Sequence, residues 1–273
     1  MSTIIAATNY TELAENAVAF AAEIARQNNY RLILLNDFSV SVHAMNARLS
    51  AERIEELIDE NKLLLESKAL LLADQYGIEV ISKATFSFVE DAIEEVVTQY
   101  NAEMIVMGME EKSVEQELLG NTTTSIIKKL HSPVMAVPAN ARFNGIKRVL
   151  FACDVLHGVS EQILARIKQM ALTNNAEVEV LLINETVEEL KAVGADPNAL
   201  RIIDKGLDGI DYYYKNVRSD SIIDGIAREI KRMEADLLIM VPQPHGFWDS
   251  MVHRSKTRVM ASGLNIPLFS IPA

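Results

Sequence analysis

Short apolar runs alternate with amphipathic stretches along the whole chain. The first run, residues 4–8 (IIAAT), ends in polar residues, and residues 12–25 then place apolar side chains at the i, i+3, i+4 spacing of a helix with one buried face. Thr11, just ahead of that stretch, is of the type that caps helix N-termini. Residues 31–36 (RLILLN) predict a second strand, and a Leu- and Glu-rich stretch over 51–75 predicts a long helix. A third strand is expected at 78–84, a helix at 89–99, a fourth strand at 103–107, a helix at 122–130 and a fifth strand at 134–137. The strands read as continuous apolar runs, the mark of burial on both faces. Their alternation with helices predicts a parallel sheet wound on both sides.

Residues 139–145 (ANARFNG) have the composition of a linker, and 148–154 (RVLFACD) begin the same rhythm again. Landmarks recur in order: AEMIVM at 102–107 returns as ADLLIM at 235–240, and SPVMAVP at 132–138 returns as IPLFSIP at 266–272. Strand and helix rhythm alone would not reproduce a proline-bounded closing strand, so the pattern reads as a duplication. The expected fold class is α/β, with two tandem doubly wound five-stranded parallel-sheet domains at 1–140 and 146–273. The length of 273 residues suits two domains of ordinary size.

Composition narrows the function classes. With 49% hydrophobic and 23% charged residues the chain can bury a core, and its formal charge of -12, with no run of Lys and Arg, argues against general nucleic-acid binding. The single cysteine, Cys153, ends an apolar run and is expected to be a small core residue. His43, His131, His157, His245 and His253 are scattered without metal-ligand spacing, so no metal site is expected. The opening MSTIIAATNY has neither a charged n-region nor a long apolar core, and no apolar run approaches the roughly 20 residues of a membrane span. A cytoplasmic protein without membrane insertion is the expectation.

Ligands of open parallel sheets sit beyond the carboxyl ends of the strands. That points to Thr8 and Asn9 after the first strand, Asp37 and Phe38 after the second, and the connection from Gly108 to Thr124 after the fourth. Gly120-Asn121-Thr122-Thr123-Thr124 ahead of an apolar helical run reads either as a phosphate cradle of backbone and hydroxyl donors or as a plain helix cap. In the second half, Asp154 ends the first strand, while His253-Arg254-Ser255-Lys256-Thr257 reads as an anion contact or as a basic loop capping a helix. Tyr212-Tyr213-Tyr214 falls in an expected strand with at least one ring buried, and Phe247 and Trp248 read as core cover or a ligand surface.

The segment MGMEEKSVEQELLGNTTTSIIKKLHSPVMAVP resembles the closing part of universal stress protein domains. That family shows Gly-x-x-Gly, nine residues, then Gly-Ser/Thr before a helix and a proline-flanked last strand. The resemblance implies an adenine nucleotide alpha hydrolase-like, Rossmann-like fold, and in tandem members the last strands of the two domains pair antiparallel. Members with the full motif hold ATP between these glycines and an Asp after strand one. Here Gly108 and Gly120 match the outer glycines, whereas Glu111 stands at the second glycine, Asn121 at the Ser or Thr, and Asn9 at the Asp. In the second half Val241-Pro242-Gln243-Pro244-His245-Gly246 replaces the loop start and Arg254 the last glycine.

The resemblance implies a non-enzymatic stress-response factor. ATP or AMP with Mg is expected in domain 1 at Thr8, Asn9, Phe38, Gly108, Gly120, Asn121, Thr122 and Thr123. A second site, for a ligand or protein partner, is expected around Asp154, His253, Arg254, Ser255 and Thr257. An intramolecular pseudo-dimer of the domains, a homodimer of whole chains and a protein partner are the expected associations. The alternatives are slow ATP hydrolysis, for which no Walker motif or general base is legible, and an interaction module without nucleotide.

Overall fold

The computed structural model describes residues 1–38, 50–86, 89–109, 122–153, 158–183, 197–242 and 265–272. Its contacts divide the chain into two compact units, Met1–Met109 and Glu110–Ala273.

The first unit runs β1 (Thr3–Ala7), α1 (Glu12–Asn28), β2 (Arg31–Asp37), α2 (Ala51–Tyr76), β3 (Val80–Thr85), α3 (Val89–Tyr100) and β4 (Met104–Met109). Its strands lie in the order β3-β2-β1-β4, and each resolved pair is parallel. The two inner strands are the ones written without polar interruption. Ile4, Ile5, Ala6, Leu32, Ile33 and Leu34 are fully buried, as burial on both faces of a sheet requires. Helix α1 meets the sheet through Ala17, Ala21, Ala22 and Ala25, small enough for close approach. It is capped by Thr11, whose hydroxyl accepts from the Ala14 amide. Helix α2 starts on the Ser50 side chain and stops at Gly77, whose φ of 65° is the left-handed conformation that glycine adopts without penalty.

The second unit holds α4 (Thr122–Lys129), β5 (Val134–Pro138), β6 (Arg148–Ala152), α5 (Glu161–Asn174), β7 (Glu177–Ile183), α6 (Pro197–Leu207), β8 (Tyr212–Val217), α7 (Ile222–Met233), β9 (Leu237–Met240) and β10 (Leu268–Ser270). Its parallel strands follow β8-β7-β6-β9-β10. The sequence 8-7-6-9 repeats 3-2-1-4 of the first unit, so the duplication is present in topology as well as in landmarks. The expected pairing of closing strands is also present: β10 runs antiparallel to β5, with Leu268 opposite Ala136, Phe269 opposite Met135 and Ser270 opposite Val134. Each strand thereby satisfies backbone groups along an edge that would otherwise be open. Among the described residues no helix is long and apolar enough to cross a membrane.

The tyrosine triplet corrects one expectation. Tyr212 and Tyr214 are half-buried and Tyr213 is exposed, so none of the rings is buried. The reason is position, since β8 is the outermost strand of its sheet and one flank has no neighbouring strand among the described residues. On one face the Tyr212 and Tyr214 hydroxyls both donate to Asp204 Oδ1 of α6, at 2.9 Å each, with the rings edge to face. Partial burial, then the Asp204 carboxylate, push the Tyr212 phenol up to about 12, so it remains a donor at neutral pH. On the other face Tyr213 stands in register with Glu179 of β7. Helices α6 and α7 thus contact opposite faces through alternate residues of adjoining strands.

Glu179 and Glu229 are nearly fully buried, and Arg232 of α7 bonds to both carboxylates. Among the described residues Glu179 Oε1 has no hydrogen-bond partner. Desolvation, with the neighbouring Glu229 carboxylate adding to it, pushes the Glu179 carboxyl up, against the smaller pull of Tyr213 and Arg232. A carboxyl that holds its proton more tightly folded than unfolded adds no penalty below its ordinary range. Stability then falls as pH rises from that range through the raised folded value. Glu179→Gln should therefore raise the melting temperature at pH 8 by more than at pH 4. Equal shifts at both pH values would show that Glu179 binds its proton no more tightly in the folded chain than in the unfolded one.

Candidate functional site

In the first unit the connections lead from β1 to β2 and β3 on one side, and then to β4 on the other. The crevice beyond the carboxyl ends of β1 and β4 is thus the switch point where open parallel sheets bind ligands. Ala6 pairs with Val106, so two residues further along both strands Thr8 and Gly108 arrive at the same level of that crevice.

The turn after β1 is held by its own side chains. The buried Thr8 donates its amide to the Leu35 carbonyl at 2.8 Å and its hydroxyl to Glu15 Oε1 at 3.0 Å, and that hydroxyl accepts from the Tyr10 amide at 3.0 Å. Asn9 is exposed, and its Oδ1 accepts from the Thr11 amide and hydroxyl at 3.2 and 2.6 Å. The side chain's amide nitrogen is not used in these two bonds and can act as a donor. Between them Tyr10 has a φ of 62°, a conformation that costs a non-glycine residue on the order of 1–2 kcal/mol.

Behind the turn lies a buried network of amides. Asn36, near the end of β2, donates to the Thr8 carbonyl at 2.7 Å and accepts from Asn61 Nδ2 of α2 at 2.9 Å. Asn61 Oδ1 in turn accepts from the Tyr10 hydroxyl at 3.3 Å, and Lys68 of the same helix bonds to Glu15. Burial, with the Glu15 carboxylate behind it, pushes the Tyr10 phenol up and keeps it a donor. The network ties β1, β2, α1 and α2 together directly under the exposed Asn9.

Gly108 sits where a Cβ would lie 2.6 Å from Leu13 Cγ and 3.1 Å from the Leu13 carbonyl oxygen. Its missing side chain admits the first turn of α1 against β4. Phe38 is anchored toward β3, where its amide donates to the Thr85 carbonyl at 2.9 Å and its ring meets Phe86 edge to face at 6.2 Å. The structure thus gathers Thr8, Asn9 and Gly108 at the crevice and places Phe38 at the neighbouring strand end. Thr122 is exposed and Thr123 buried at the start of α4, in the second unit. Gly120, Asn121, Asp154, His253, Arg254, Ser255, Thr257, Phe247 and Trp248 lie outside the described residues. Cys153 is buried as expected; among the strand methionines Met107, Met135 and Met240 are core residues, while Met104 is only half-buried.

The model of the universal stress protein family matches residues 1–138, half of the chain, and the chain belongs to that family. A universal stress protein of Methanocaldococcus jannaschii is 26% identical over 136 residues, covering 49% of this chain and 80% of the relative. A universal stress protein from Archaeoglobus fulgidus superposes with a TM-score of 0.72 at 16% identity, covering 99% of this chain and 96% of the other. A putative universal stress protein from Pseudomonas aeruginosa gives a TM-score of 0.59 at 12% identity over 100% and 93% of the two chains. At these identities the likeness to the two solved structures establishes a shared fold.

Sequence reading missed Tyr10, Glu15, Asn36, Asn61 and Lys68. One signal was present: Asn36 closes a strand that is otherwise aliphatic from Leu32 to Leu35. The partners on α2 lie 25 and more residues away, where no local pattern pointed to them. Asn36→Leu should strand the Thr8 carbonyl and the Asn61 amide, destabilising the chain by roughly 2 kcal/mol or more in urea unfolding. A loss under about 0.5 kcal/mol would show that water replaces the amide. Gly108→Ala should cost about 1–3 kcal/mol by forcing Leu13 and α1 outward, a change readable in the same measurement.

Proposed function

We propose that this universal stress protein is a non-enzymatic stress-response factor that binds an adenine nucleotide, ATP or AMP with Mg, at the strand ends of its first domain. The observation that carries the reading is the convergence of Thr8, Asn9 and Gly108 at the switch-point crevice, with the exposed Asn9 held on a rigid turn. A fixed amide donor suits the ring nitrogens of adenine. Phe38 offers an aromatic surface at the neighbouring strand end. The second domain takes a ligand or protein partner around Asp154, His253, Arg254, Ser255 and Thr257. The domains span 1–140 and 146–273 and act as a pseudo-dimer, a reading supported by the repeated strand order and by β10 on β5.

One observation favours a second reading, an interaction module without nucleotide. Thr8 and the Asn9 oxygen already spend their hydrogen bonds on the turn itself.

Millimolar ATP or AMP with magnesium should raise the melting temperature of the full chain, because a ligand bound only to the folded state stabilises it by mass action. Asn9→Ala should shrink that shift while leaving the unliganded melting temperature within a few degrees. No shift with either nucleotide would leave the interaction module as the reading. Phosphate release from ATP should not exceed that of a heat-treated control, and release above it would make the protein a hydrolase.

A further inference from the structure

Helix α2 buries one side in the first unit through Asn61, Leu65, Ala69 and Leu72, and leaves four leucines on its other faces. Leu63, Leu64, Leu70 and Leu71 are 64%, 54%, 72% and 70% exposed. They form two rows, Leu63–Leu70 and Leu64–Leu71, each one heptad apart, and Ser67 lies in the furrow between the rows. Four such leucines together make an apolar patch on the order of a few hundred Å², the size at which exposed patches mark interaction sites. A small residue flanked by leucine rows is also the relief into which the side chains of a second helix pack.

The charges around this furrow decide what fits it. Glu60 and Asp74 stand one heptad to either side of Ser67, and Glu56 and Glu66 border the rows. The helix carries seven acidic residues and three basic ones. All three basic residues are engaged with acids: Arg53 with Glu56 and Glu60, Lys62 with Asp59, and Lys68 with Glu15. A second copy laid antiparallel across Ser67 would set Glu60 against Asp74 twice, and a parallel copy would set each acid on its twin. Both arrangements repel. An anionic lipid surface is disfavoured for the same reason. The geometry points to a basic amphipathic helix of another protein as the occupant, its apolar stripe in the furrow and its lysines or arginines against Glu60, Glu66 and Asp74.

The test uses the full chain and two synthetic peptides of about 18 residues, long enough to form a helix on binding. Each carries leucines on one heptad stripe, flanked by Lys in one peptide and by Glu in the other. Fluorescence anisotropy should show saturable binding of the Lys peptide, weakened by salt, and none of the Glu peptide. Leu63→Ser with Leu70→Ser should weaken it by about tenfold or more. Glu60→Lys with Asp74→Lys should reverse the preference between the peptides, and it keeps the proposal testable if the serine variant fails to fold. The proposal falls if both peptides bind equally, if neither binds, or if the leucine variant binds undiminished. It also falls if sedimentation shows that variant turning a dimer into monomers, which would make a second copy the occupant. Loss of binding to phosphatidylcholine vesicles in the same variant would instead assign the face to lipid.

Discussion

The buried side-chain amide of Asn36 sets the geometry of the first unit's strand ends. An amide taken out of water must find partners or cost a large part of the chain's net stability. Asn36 finds them on two elements that are distant in sequence, the Thr8 carbonyl after β1 and the Asn61 side chain on α2. That demand sets how far β1 extends before its turn and how deep α2 sits, and through Asn61 it reaches the Tyr10 hydroxyl. The left-handed Tyr10 is held in a conformation it would not adopt alone, and Asn9 is presented at the crevice mouth. The site is therefore built from behind, by groups a ligand would not touch.

The two halves share a strand order but resolve their buried polar groups differently. In the first unit the network beside β2 joins neutral amides and hydroxyls to one ion pair, Glu15 with Lys68, and it ends at the candidate site. In the second, β7 occupies the corresponding place in the strand order, and it buries Glu179 against Glu229 with Arg232 between them. The amides are indifferent to proton concentration over the range where proteins fold, and the buried Glu179 carboxyl is not. Duplication preserved the layout of strands, which depends on apolar pattern, while the polar exceptions inside each half went separate ways.

Much of the fold was legible because the inner strands are aliphatic at nearly every position and the amphipathic stretches between them have helical spacing. Thr11 was legible as the cap of α1, whereas Ser50 and Gly77, which open and close α2, were recognised as caps only in the structure. The β10 pairing on β5 followed from family likeness rather than from any local pattern. The candidate site was legible only at its rim. Thr8, Asn9 and Gly108 could be placed by the rule that ligands gather at strand ends, but Gly108 proves to serve the packing of Leu13 as well. The tyrosine triplet was misread because aromatic residues suit strands at the edge as well as at the centre, and only strand order distinguishes the two.

By itself the sequence determined the alternation of strand and helix, the duplication, and the family, because each is written in local periodicity or in recurring motifs. The tertiary structure decided which strand lies at an edge, which residues meet behind the turn after β1, and which face of α2 remains uncovered. Those depend on contacts between residues tens of positions apart. The hydrophobic pattern requires that such contacts exist, and only packing selects the partners.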